Sequence, residues 1–155
     1  MSEVPFQLVL DVRWSDLDPN QHVRHSVYYD WGAQARMAYL GQQGLSLQWL
    51  RDAGLGLVLL REECVFRKEI RPQDHPVIDL QLLQARPDFS RWAIRHRITR
   101  EPGQVGAIIT VEGAWINTAA RRLAAPPEPV IRVFNQIQRA EDFQWLQAGK
   151  GNPPG

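Results

Sequence analysis

Asp16, Asp18, His22 and His25 fall close together in the stretch Arg13–Leu40, which reads RWSDLDPNQHVRHSVYYDWGAQARMAYL. Polar, titratable side chains set between apolar elements cost folding energy unless something uses them. Asp18 lies just past an alternating strand, beside a Pro19-Asn20 turn and ahead of a helix. Backbone N–H groups at a helix start can hold a developing oxyanion, helped by the helix dipole. A carboxylate facing them can attack a carbonyl itself or take a proton from a water that does. That set suits ester or thioester hydrolysis. The same residues also suit plain turn chemistry, since Asp-Pro opens turns, and both readings stand at this point. Asp16 reads as scaffold, hydrogen-bonding the turn backbone. His22 and His25, three apart, can orient a water, polarise a carbonyl or act on Asp18.

Other residues carry weaker signals. Glu63 sits among strand residues expected to face the central helix, as a second carboxylate, or else is an exposed charge beside Glu62. Arg91, Arg95 and Arg97 share one strand face and suit phosphates, or a solvated or dimer-facing surface. Tyr28, Trp31, Trp49, Trp92 and Trp115 can line an acyl pocket or fill the core. His75 and His96 read as turn and core histidines, and Cys64 as an ordinary strand thiol. Neither H-E-x-x-H nor C-x-x-C occurs, so no metal is expected. The absence of G-x-S-x-G, P-loop and G-x-G-x-x-G patterns argues against serine-elbow hydrolases and nucleotide folds.

The elements that must position these residues follow from periodicity. Phe6, Leu8, Leu10, Val12 and Trp14 alternate with mostly polar residues, predicting a strand over Phe6–Ser15. A helix is predicted from Ser26 to Leu40, with Val27, Trp31, Ala35 and Ala38 as its apolar stripe and Gly41 and Gly44 as stops. Gly32, Ala33 and Ala35 keep it thin enough for a sheet to approach. A short helix over Ser46–Asp52 follows. Strands are predicted over Leu57–Ile70, Val77–Ala85, Arg91–Thr99 and Val105–Asn117, then an amphipathic helix over Pro129–Glu141. Turns this short require antiparallel pairing. The result is an α+β fold, one long central helix wrapped by a bent antiparallel sheet of about five strands. Residues 1–147 form one domain and 148–155, rich in glycine and proline, a flexible tail. The sheet surface left uncovered predicts a homodimer or homotetramer.

Composition narrows the partners. The 155 residues carry a formal charge of +1, too little to draw the whole molecule onto nucleic acid or a membrane. Of the basic residues sixteen are arginine and two are lysine. One cysteine excludes an internal disulfide and fits a reducing compartment. With no signal-like N-terminus and no apolar run long enough to span a bilayer, a cytoplasmic protein is expected.

RWSDLDPNQHVRHSVYYDW, followed by a helix bearing Ala35-Arg36, resembles the opening of hot-dog-fold acyl-CoA thioesterases of the 4-hydroxybenzoyl-CoA thioesterase type. DLDPNQHVRH is also similar to a stretch of plant acyl-carrier-protein thioesterases. EIRPQDHPVIDLQL, RPDFSRWAIRHRITR and ITVEGAWIN resemble later strands of the same family. The resemblance implies a hot-dog fold, dimers that pair edge strands, and active sites at the dimer interface. It implies an acyl-CoA or acyl-carrier-protein thioester substrate and no cofactor. By position Asp18 matches the family's catalytic aspartate. His25 matches the helix-start residue whose amide serves the oxyanion hole, and His22 the turn histidine. Asn20 matches the turn asparagine. Tyr28, Glu63 and Arg91 complete the expected substrate-binding set, with Arg24. The chain departs from the pattern at Gln21, where glycine is common, and at Arg24, where an asparagine is. Arg24 motivates the alternative, a non-catalytic hot-dog module that binds an acyl chain or a partner protein. A hydratase on this fold would need a longer loop that is not evident here.

Overall fold

A computed structural model describes residues 4–147; the expected tail at 148–155 lies outside them. Strand β1 (Gln7–Val9) leads into a 3₁₀ turn at Trp14–Asp16, then helices α1 (Val27–Gln42) and α2 (Leu47–Asp52). Strands β2 (Leu55–Phe66), β3 (Val77–Asp79), β4 (Gln81–Ala85), β5 (Arg91–Glu101), β6 (Gln104–Asn117) and β7 (Arg122–Leu123) come next. Helix α3 (Glu128–Asn135) and strand β8 (Arg139–Trp145) end the described chain.

The sheet runs β2–β6–β5 and then to β3 and β4, which both pair with β5; β1 extends it at β3 and β8 at β4. This is the curled sheet around a central helix of the hot-dog fold. Alternation in β5 is as expected, with Trp92, Ile94, His96 and Ile98 all buried. From β6, Ala107, Ile109, Val111 and Trp115 join them. Helix α1 buries a wider face than the expected stripe: Tyr28, Gly32, Arg36, Tyr39 and Leu40 are buried beside Val27, Trp31 and Ala35. A sheet curled around a helix touches more than one stripe of it. Ala38 is only half-buried. The helix does lie close to the sheet, since a Cβ on Gly32 would stand 3.2 Å from Arg36 Nη1 and 3.5 Å from His96 Cδ2.

Four expectations are corrected. The first strand is three residues long, because after the Leu10 amide donates to the Pro76 carbonyl (2.8 Å) the chain leaves the ladder. Alternation continued past that point because it reports burial, not pairing. Val77–Ala85 is split at Leu80 into β3 and β4. The terminal helix stops at Asn135, and the chain then forms β8, which pairs with β4 in parallel rather than antiparallel fashion. In β2 the register slips between Leu59 and Arg61. That bulge reverses which side chains face the helix, so Glu62 approaches Arg36 (3.7 Å), while Glu63 is exposed and pairs with Arg61 (2.9 Å). No helix among the described residues is long and apolar enough to cross a membrane.

Candidate active site

The loop before α1 is a small hairpin closed by a bridge between Leu17 and Val23. Asp18 organises its tip. Its amide donates to the His22 carbonyl (2.8 Å) and its own carbonyl accepts from the Gln21 amide (2.9 Å). Its Oδ1 accepts from the amides of Asn20 (2.9 Å) and His22 (3.1 Å). The turn reading is therefore real, but it uses one carboxylate oxygen. Oδ2 accepts no hydrogen bond among the described residues. Gln21 takes φ 62°, the left-handed region that suits glycine, so the turn keeps its shape without one.

Asp16 is the scaffold it was expected to be. It is fully buried, and its carboxylate accepts from the Arg13 amide (2.9 Å) and the Arg13 guanidinium (2.9 Å). Burial pushes its carboxyl up, but the hydrogen bonds and charge of Arg13, with Arg24 adding, outweigh this and leave it below its usual value. The Asp16 carbonyl also accepts the Arg24 amide (2.8 Å), and the Val23 amide donates to the Ile70 carbonyl (2.8 Å). These bonds fix the hairpin against the sheet.

Helix α1 proper begins at Val27, later than His25, which sits in the turn just ahead of it. The Arg24 amide is taken by Asp16 and the Val27 amide by the Arg24 carbonyl (3.1 Å). The intervening amides of His25 and Ser26 have no partner among the described residues. Four of the expected residues, Asp18, His22, His25 and Tyr28, border one cleft of about 340 Å³. Tyr28 is buried there with its ring 5.0 Å from Phe66, and burial pushes its hydroxyl up to about 12, so it is a neutral donor at ordinary pH.

The other four expected residues stand elsewhere. Asn20 is exposed on the outside of the turn. Arg24 is folded back, its guanidinium on the Ser15 carbonyl and Ser26 Oγ (3.1 Å for the latter). Glu63 is on the far face of β2, and Arg91 begins β5 without bordering the cleft. Arg95 and Arg97 are engaged internally by Asp142 (2.7 Å) and Asp79 (2.6 Å). The far side of the cleft is a segment the sequence did not single out: Phe66, Arg67, Lys68 and Glu69, at the end of β2. Its signal was a charged triplet that breaks alternation just before Ile70. A second, larger cavity of about 620 Å³ lies between α2 and the start of β2, walled by Met37, Leu47, Leu50, Leu55 and Leu57. Trp31, Trp92 and Trp115 belong to the core. No group of three or more His, Cys, Asp or Glu among the described residues is placed to hold a metal ion.

With this geometry in hand, a family profile described as the Thioesterase-like superfamily matches residues 12–134. The chain belongs to that superfamily. Thioester hydrolysis is accordingly its reaction class. No curated protein matches the sequence. Among solved structures, a Staphylococcus aureus protein in complex with CoA superposes with TM-score 0.80 at 21% identity, covering 99% of this chain and 98% of its own. A 1,4-dihydroxy-2-naphthoyl-CoA thioesterase from Synechocystis gives TM-score 0.77 at 21% identity over 86% of this chain and 97% of its own. A Thermus thermophilus thioesterase complexed with coenzyme A and zinc gives 0.69 at 25% identity, with coverages of 83% and 90%.

Proposed function

We propose that this member of the superfamily hydrolyses an acyl-CoA thioester, with Asp18 as nucleophile or general base. The observation that carries the reading is the division of labour in one carboxylate. Two amides hold Oδ1, Oδ2 accepts no hydrogen bond among the described residues, and Asp18 borders the cleft with His22, His25 and Tyr28. The unpartnered amides of His25 and Ser26 are the donors available for an oxyanion. In the base route Asp18 takes a proton from water as the water oxygen bonds to the thioester carbon. The tetrahedral oxyanion then collapses, breaking the C–S bond, and the thiolate takes up the proton. In the nucleophilic route Oδ2 itself bonds to that carbon and expels the thiolate, and water cleaves the resulting anhydride. Both routes give free acid and CoA.

CoA-bound relatives support CoA as the carrier. The alternative, a non-catalytic binding module, rested on Arg24 standing in the site, and Arg24 is folded onto Ser15 and Ser26 instead. Among the described residues strand β2 pairs only with β6, and it exposes Leu59, Leu60 and Val65 by 45–47%. An open edge of this kind supports a dimer that pairs two copies of β2, which sedimentation would detect.

The test is thiol release from a panel of acyl-CoAs by wild type and Asp18→Asn. Asparagine keeps the Oδ1 acceptor and hence the turn, so a folded but inactive variant is expected. A variant as active as wild type sinks the assignment. Single turnover in ¹⁸O-water tests the nucleophilic route, since label enters Asp18 only when water opens the anhydride at the Asp18 carbonyl.

A further inference from the structure

Phe66, Arg67, Lys68 and Glu69 are consecutive, yet all four border the cleft. A regular strand sends successive side chains to opposite faces and would present only alternate ones. A second bulge makes the difference. After the last ladder pair of β2, Phe66 with Ala107, the amides of Arg67 and Lys68 both donate to the single carbonyl of Gly106, at 2.8 and 3.0 Å. Two residues opposite one bend a strand and re-aim its side chains. Gly106 is part of the device, because a Cβ there would stand 3.1 Å from the Lys68 carbonyl oxygen.

The two cations at this bulge contrast with six others that are engaged. Arg13, Arg36, Arg61, Arg71, Arg95 and Arg97 each have a carboxylate within ion-pair distance. The side chains of Arg67 and Lys68 make no ion pair or hydrogen bond among the described residues. Their neighbour Glu69 has its own counter-charges in Arg100 and Arg71. The rim therefore offers a guanidinium fork and an ammonium to something anionic that approaches from solvent.

We propose that Arg67 and Lys68 recognise the carrier, binding the phosphate that ends its pantetheine arm. This inference rests on the thioesterase reading. That phosphate is common to CoA and to carrier proteins. A guanidinium grips phosphate oxygens in pairs, and an ammonium adds a point charge. Because the phosphate is remote from the reacting carbonyl, its binding is equal in ground and transition states, and its loss raises KM without lowering kcat.

The experiment compares one acyl group on CoA, on phosphopantetheine and on pantetheine, for wild type and Arg67→Gln/Lys68→Gln. The expected result is a KM raised about tenfold for both phosphate-bearing thioesters, with kcat and the acyl-pantetheine kinetics unchanged. Gly106→Ala, which keeps both cations but crowds the bulge, should give the same selective rise. If Gly106→Ala does not fold, the glutamine pair decides. Equal KM changes for all three thioesters, or none, overturn the proposal. An effect confined to acyl-CoA also overturns it, because it moves the contact to the nucleotide phosphates. If wild type turns over no thioester, the reaction reading fails separately. Calorimetric titration with CoA and with pantetheine then still tests the pair, and equal affinities overturn it.

Discussion

Helix α1 carries two polar clusters that differ in one respect. At its start Asp18, His22 and His25 border an open cleft, and among the described residues Asp18 Oδ2 and the amides of His25 and Ser26 have no partner. Further along is a closed cluster around fully buried His96 on β5, which Arg36 joins while approaching Glu62 on β2 at 3.7 Å. His96 accepts from Arg36 Nη1 at 3.1 Å and, since its Nε2 is the acceptor, donates from Nδ1 to the Asp79 carbonyl at 2.8 Å. Burial first, and the charge of Arg36 second, push the imidazole down to about 3. The two clusters differ in that Asp18 keeps hydrogen-bonding capacity unfilled, whereas both ring nitrogens of His96 are bonded. Where it is filled, the polar group fastens helix to sheet.

The sharpest way to break this comparison is at Asp18. Asp18→Asn should lose about 10²-fold or more in kcat while its melting temperature stays at the wild-type value, measured by thiol release and calorimetry. Equal losses of stability and turnover would make Asp18 scaffold after all.

The closed cluster predicts the opposite kind of behaviour. An unfolded histidine titrates near 6.5 and His96 near 3, so the unfolded chain binds the proton more readily. Stability attributable to neutral His96 is fully present above about pH 6.5 and is lost as pH falls towards about 3, at about 1.4 kcal/mol per unit. Urea unfolding across this range should show that slope. His96→Gln, which can still accept from Arg36 and donate to Asp79, should flatten it.

Asp16 belongs with the closed cluster despite being two residues from Asp18. Asp16→Ala removes a buried acceptor from the Arg13 amide and guanidinium and should cost about 1–3 kcal/mol by equilibrium unfolding. Because its folded carboxyl titrates below the ordinary value, that contribution is present above about pH 4 and fades as pH falls through the folded titration. The smallest effect belongs to the surface. Arg95→Gln breaks the pair with the 62% exposed Asp142 side chain and should change stability by under about 1 kcal/mol. A larger value would mean that β8 is held mainly by that pair.

Local chemistry made much of this readable in advance. The short helix expected over Ser46–Asp52 forms as α2, with Ser46 accepting from the Trp49 amide (3.1 Å), whereas Ser26, expected to cap α1, makes no side-chain cap bond. The alternation of β5 and β6 marked their buried faces correctly. What stayed hidden has a common physical origin, which is pairing between distant residues. β8 carries weak alternation and exists because β4 offers it an edge. Glu62 and Glu63 exchange roles because of one extra residue opposite β6. Arg95 and Arg97 look alike in the strand, and only folding shows that Asp142 and Asp79 occupy them.

By itself the sequence determined α1, α2, the long strands and the Asp18 turn. Periodicity, caps and breakers act over a few residues, and so does an aspartate that folds its own backbone around itself. Only the tertiary structure decided which polar groups remain open. Whether a carboxylate, an amide or a cation is still free depends on partners drawn from anywhere in the chain. Two bulges, at Leu60 and after Phe66, decided that question for Glu63 and for Arg67 and Lys68.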